Sequence, residues 1–105
     1  KCTSSYPSNP NESNLVAIKT LREKFKCEVG LSDHTRGIGA SVASIPIGAS
    51  IIEKHIVLKK NDGSIDQDFS LDPIEFKNLI KETNNAWLAL GKKYFEMHKL
   101  RKLER

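Results

Sequence analysis

Cys27-Glu28-Val29-Gly30-Leu31-Ser32-Asp33-His34-Thr35 holds the reading that decides the fold. A short apolar run over residues 27–31 has the length of a buried strand, and it stops on hydroxyl, carboxylate and imidazole groups. Working towards the N-terminus, Leu15, Ile18, Leu21 and Phe25 recur at spacings of three and four, so residues 12–24 are expected to be an amphipathic helix. Residues 5–11, rich in Ser, Pro and Asn, read as a loop, and residues 1–4 as the end of an earlier strand. In the other direction, residues 35–39 form a Gly-containing loop and residues 38–47 a helix of small side chains. Pro46 should shorten or bend its last turn, and Gly48 should cap it. Residues 50–55 are the third strand. A polar connection over residues 59–70 carries the turn signal Asn61-Asp62-Gly63. Asp72-Pro73-Ile74-Glu75 then opens a helix: Asp72 suits the N-cap, Pro73 the first position, and Glu75 can close a capping box. Phe76, Leu79, Ile80, Trp87 and Leu90 mark its apolar face as far as Gly91. The order β-α-β-α-β-α implies an α/β fold with parallel strands.

Bulk properties narrow the class. No apolar run reaches the roughly 20 residues a membrane span needs, and the N-terminus has no secretory pattern. A cytoplasmic location is expected. The chain opens on Lys1-Cys2-Thr3 without Met, which reads as a protein whose natural beginning lies upstream. Two cysteines, Cys2 and Cys27, are too few for a disulfide framework in 105 residues; buried thiols are expected. The net charge of +4 is carried by residues 92–105, where six Lys/Arg face Glu96 and Glu104, whereas residues 1–91 hold eleven of each sign. With no basic, aromatic-rich face in the body, the tail reads as a solvated end, helical or disordered, and nucleic acid is not an expected partner.

Ligands of parallel α/β folds bind beyond the carboxyl ends of the strands. The three strands end in Thr3-Ser4-Ser5-Tyr6, Ser32-Asp33-His34-Thr35 and Glu53-Lys54-His55, so a polar site at one end of the sheet is expected. His34 and His55 lie at equivalent positions, where two neutral imidazoles could share one transition-metal ion with carboxylate or water. Ser4, Ser32 and Thr35 could offer hydroxyls to an anion, although Ser and Thr are also routine in loops and caps. Lys54 faces away from His55 in a regular strand and reads as structural. Asp66 and Asp68, in the long connection, read as surface residues.

The ordered set Lys1-Cys2-Thr3-Ser4-Ser5-Tyr6-Pro7, Gly30-Leu31-Ser32-Asp33-His34-Thr35 and Glu53-Lys54-His55 resembles the sialic acid synthase family over residues 1 to about 91. The resemblance implies a partial TIM (β/α)8 barrel comprising its last three βα units, with residues 92–105 a separate basic tail. It implies condensation of phosphoenolpyruvate with an N-acetylated amino sugar to a nonulosonic acid and phosphate. By the same resemblance His34 and His55 would be catalytic metal ligands for Mn2+, with Mg2+ or Co2+ as alternatives. Ser4 and Ser32 would bind phosphoenolpyruvate, Tyr6 and Asp66 the sugar. The stretch from Asn61 to Pro73 is more similar to pseudaminic acid synthases than to the N-acetylneuraminate or legionaminate enzymes. The family's earlier barrel strands would precede residue 1, and its full-length members are expected to be homodimers. The chain on its own is expected to be inactive and to self-associate through unpaired strand edges. A non-catalytic remnant or assembly module is the alternative reading.

Overall fold

In the computed structural model, which describes residues 1–60 and 67–91, β1 (Leu31–Asp33) and β2 (Ile52–Lys54) pair in parallel. Leu31 stands opposite Ile52, Ser32 opposite Glu53, and Asp33 opposite Lys54. Single parallel bridges extend this ribbon on both sides: Cys2 with Ser32 and Ser8 with Thr35 on one, Ile56 with Leu71 on the other. The Ser32 amide donates to the Lys1 carbonyl at 2.8 Å, and the Leu71 amide to the His55 carbonyl at 2.9 Å. Every pairing is parallel, as the alternation of strands and helices requires.

Three strand expectations shift. Residues 1–4 contribute a bridge, not a strand. The second strand lies at Leu31–Asp33, later than residues 27–31, and the third is confined to Ile52–Lys54. At Gly30 the backbones run so close that an added Cβ would meet the Ile51 carbonyl oxygen and lie 2.9 Å from the Ile51 Cβ. The regular ladder begins one residue beyond that approach. The bridge at Leu71 was not expected: the polar connection ends by adding a parallel segment before the last helix starts.

α1 (Ala17–Phe25) begins later than residue 12. Pro10–Glu12 instead form a 3-10 turn, with the Asn11 amide donating to the Asn9 side chain at 3.2 Å. Asn14 then takes a left-handed φ of 46°, a conformation Asn tolerates but a helix interior does not. α2 (Gly39–Ile47) matches its expected span. Pro46 is accommodated in its last turn, and Gly48, at φ 115°, returns its amide to Ile45 and Ser44. Only glycine enters that region without strain. α3 (Pro73–Leu90) carries the expected capping box: the Glu75 amide donates to Asp72 at 2.8 Å, and the Asp72 amide to the Glu75 carboxylate at 3.1 Å.

The core is Ile18 of α1, Leu31 of β1 and Ala49 after α2, flanked by Leu15, Val29, Ile47 and Ile52. Two expectations about burial fail. Both cysteines are exposed; Cys27 is so because the chain enters β1 only after residue 30. On α3 only Leu79 is buried, while Ile80, Trp87 and Leu90 of the expected apolar face are exposed. No described helix is long and apolar enough to cross a membrane. The turn at Asn61-Asp62-Gly63, Asp66 and the basic tail lie outside the described residues.

Candidate functional site

Alternation along β1 and β2 sorts their side chains onto two faces. Leu31, Asp33 and Thr35 face the helices together with Ile52 and Lys54, as their burial and their contacts with the core and α2 show. Ser32, His34, Glu53 and His55 take the other face. There the Ser32 hydroxyl donates to the Glu53 carboxylate at 2.6 Å. One step further along, the His34 and His55 rings stand 5.4 Å apart between centroids.

Two aromatic rings frame this pair. Tyr6 lies 4.4 Å from His34, edge to face, and Phe69 lies 5.9 Å from His34 and 5.0 Å from His55. Phe69 is buried at 4% exposure and His34 at 6%, whereas Tyr6 is 57% exposed. Phe69 reaches the site because the chain returns to the sheet at Leu71. The His34 Nδ1 lies 3.2 Å from the Thr3 carbonyl oxygen. A carbonyl only accepts, so the tautomer that makes this bond carries its proton on Nδ1 and its lone pair on Nε2. The Cys2 Sγ stands 3.7 Å from the same Nδ1.

These features fit a divalent ion. Ligating histidines hold their second nitrogen with a carbonyl or carboxylate, as Thr3 holds His34. Two imidazoles bound to one ion at about 2.0–2.1 Å bring their ring centres to a separation of this order. Among the described residues no group of three His, Cys, Asp or Glu side chains converges on one point. An ion held by His34 and His55 would therefore need water, substrate or other carboxylates to complete its shell.

Behind the imidazoles lies a buried ion pair. Lys54 Nζ is 3.2 Å from the Asp33 carboxylate, with side-chain exposures of 0% and 1%. Asp33 also accepts from the Thr35 amide at 2.8 Å, the Thr35 hydroxyl at 2.6 Å and the Ser41 hydroxyl of α2 at 2.5 Å. Lys54 donates a further bond to the Thr35 carbonyl at 2.6 Å. Lys54 thus faces away from His55, as the strand alternation implied.

Of the residues singled out in the sequence, the structure brings together His34, His55 and Tyr6, with Ser32 one step below on the same face. Ser4 is exposed at the end of the first segment, and among the described residues no hydrogen bond joins it to Ser32. Asp66 lies outside the described residues. Glu53 and Phe69 received no role from the sequence. Strand alternation alone puts Glu53 on the face of His55, whereas the place of Phe69 depends on which segments meet and carries no local signal.

Comparison with known proteins gives these positions a context. The chain is 48% identical over 91 residues to the pseudaminic acid synthase of Campylobacter jejuni (serotype O:2), covering 87% of the chain and 26% of that enzyme. It is 46% identical over 90 residues to the N,N'-diacetyllegionaminic acid synthase of the same organism, covering 86% of the chain and 27% of the enzyme. The chain thus spans about a quarter of the length of these curated relatives. Among solved structures, the N-acetylneuraminic acid synthetase of Leptospira borgpetersenii superposes with a TM-score of 0.87 at 36% identity, covering 98% of this chain and 37% of that one. The Bacillus subtilis spore coat polysaccharide biosynthesis protein spsE gives 0.81 at 34% identity, covering 85% and 25%. The model of the NeuB family matches residues 1–95, and with the synthase-named relatives on both sides of the comparison the chain belongs to that family of sialic acid synthases.

Proposed function

We propose that this chain is the last three βα units of a (β/α)8 barrel in a cytoplasmic synthase. That synthase would condense phosphoenolpyruvate with an N-acetylated amino sugar to give a nonulosonic acid and phosphate. The observation that carries the reading is the juxtaposition of His34 and His55 at 5.4 Å on neighbouring parallel segments, in a chain whose relatives are named as synthases of such acids. Identities of 48% and 46% to the pseudaminic and legionaminic enzymes do not separate the two sugars. The substrate class is therefore assigned at the level of an N-acetylated amino sugar, 2,4-diacetamido-2,4,6-trideoxy-altrose or N-acetylmannosamine in type.

In this reaction C3 of phosphoenolpyruvate bonds to the aldehyde carbon of the open-chain sugar, water adds at C2, and phosphate leaves. His34 and His55 would hold a divalent ion, Mn2+ before Mg2+ or Co2+, which supplies Lewis acidity for the aldehyde oxygen when bound. Thr3 fixes the His34 ring and its proton. The Ser32 hydroxyl, now donating to Glu53, is placed to turn its proton towards an arriving carboxylate or phosphate oxygen, with Ser4 a second hydroxyl near the first segment. The exposed Tyr6 ring offers a flat wall to the sugar, and Asp66 would bind its hydroxyls. The earlier part of the barrel and a second subunit would complete the catalytic assembly.

The test is a Mn2+ titration of the chain followed by electron paramagnetic resonance, with His34→Ala and His55→Ala alongside. Each variant is expected to weaken binding by at least about 100-fold, beyond what loss of an outer-shell partner produces. Wild-type affinity in either variant removes the metal assignment from that residue.

A further inference from the structure

The last paired rung between β1 and β2 is Asp33 opposite Lys54, and the two candidate metal ligands are the next residue on each strand. Beyond that rung the backbones turn to other partners. The His34 carbonyl accepts from the Ser8 amide at 2.9 Å, and the His55 carbonyl from the Leu71 amide at 2.9 Å. The backbone of each histidine is therefore tied to a segment on the outer side of its own strand. On the reverse face, Lys54 spans the two strands: it meets the Asp33 carboxylate at 3.2 Å and the Thr35 carbonyl at 2.6 Å. Asp33 and Thr35 flank His34, so these contacts hold the backbone on both sides of that residue to β2.

We propose that the buried Asp33–Lys54 pair, with Thr35, is a positioning device that sets the separation of the His34 and His55 imidazoles. The two side chains do not touch the site and act through the backbone of the residues that follow them. Neutral residues of similar size could fill the same space. A buried ion pair is a poor source of stability, because burial of two charges offsets most of their attraction, and apolar replacement of such a pair is often neutral. It is a good source of geometry, because four donors converge on one carboxylate. The consequence for metal affinity rests on the metal reading above; the consequence for ring geometry does not.

The test uses the double variant Asp33→Asn/Lys54→Met, which removes the tie without leaving an unpaired buried charge. Ser41→Ala is the control: it takes a donor from Asp33 on the α2 side but leaves the link between strands in place. Lys54→Arg keeps the charge and serves as the rescue. In the metal-free chain, nuclear Overhauser contacts between the His34 and His55 rings are expected to weaken in the double variant. The Tyr6–His34 contact, which lies on the other side of His34, is expected to persist. Ser41→Ala is expected to retain both contacts, even where its unfolding midpoint falls. Mn2+ affinity should drop about 10- to 100-fold in the double variant, as for loss of an outer-shell partner, and return towards wild type in Lys54→Arg. A folded double variant with wild-type ring contacts overturns the proposal. So does an equal loss of ring contacts in Ser41→Ala, which would mark the pair as merely structural. If wild type binds no Mn2+, the metal reading fails while the ring contacts still decide the positioning role.

Discussion

Burial by itself would raise the pKa of the Asp33 carboxyl. The Ser41 hydroxyl, the Thr35 hydroxyl and amide, and the Lys54 charge outweigh it and hold the group below its ordinary value of 3.8. Lys54 goes the other way, with burial pulling its pKa below 10.5 against the attraction of Asp33. Three hydrogen bonds and a cation stabilise the carboxylate, whereas for the ammonium burial outweighs the attraction of Asp33 and the more distant Glu75. Because the folded pKa of Asp33 is the lower one, the unfolded chain binds more protons between the two values, and stability rises with pH across that window. Its contribution is complete above the unfolded value of about 3.9 and is lost as pH falls through the folded one. Acid unfolding followed by circular dichroism should therefore show a loss of stability below about pH 4. That limb should flatten in Asp33→Asn, with stability at neutral pH lower by roughly 3–5 kcal/mol because Lys54 is left buried and unpaired. An unchanged acid limb in the variant would show that Asp33 does not carry this dependence.

Among the elements, the close approach at Gly30, just before β1, to the segment before β2 is readily tested. A methyl at Gly30 would press on the Ile51 carbonyl and lie 2.9 Å from its Cβ, and backbone on that side cannot rotate away. Gly30→Ala is expected to cost about 1–3 kcal/mol in urea unfolding, as overpacking does. Gly39, at the start of α2 with nothing within 4 Å of an added Cβ, should by contrast be neutral or gain about 0.4–1 kcal/mol on substitution by Ala. Equal effects at the two sites would refute the close-approach argument. The same contrast explains what was legible in the sequence. The capping box at Asp72, the Pro46–Gly48 stop and the alternation that puts His34 and His55 on one face depend on neighbours a few residues away, so residue types reveal them. The late start of α1 turns on a backbone choice at Asn14 that helix-period spacing cannot report. Phe69 over the imidazoles, Glu53 against Ser32 and the Asp33–Lys54 tie depend on which segments meet, and only the register between strands fixes that. Asp33 and Lys54 were visible as strand-end charges, but their pairing on the reverse face needed the rung that joins them.

At the scale of the molecule, α3 exposes several large apolar side chains. Trp87 is 65% exposed, Ile80 60% and Leu88 67%, and Ile80 and Trp87 line a groove with Ile45 and Ile52 whose rim also carries Arg22, Glu28 and Asn84. Large contiguous apolar patches are rare on monomeric soluble proteins and mark places where another surface belongs. Among the described residues the first segment pairs on one side only: Lys1 and Cys2 bond to Gly30 and Ser32 at the start of β1, and single-sided pairing of this kind invites association. The chain matches only about a quarter of its curated relatives, so in a longer protein both surfaces have candidates to cover them. Alone in solution the 11.8 kDa chain is expected to self-associate, with sedimentation velocity showing heavier species whose share grows with concentration. Ile80→Ser/Trp87→Ser should shift that distribution towards monomer if the α3 face drives association, and leave it unchanged if the strand edge does. A single monomeric species with cooperative unfolding across the concentration range would show that the chain closes its own core well enough to stand alone.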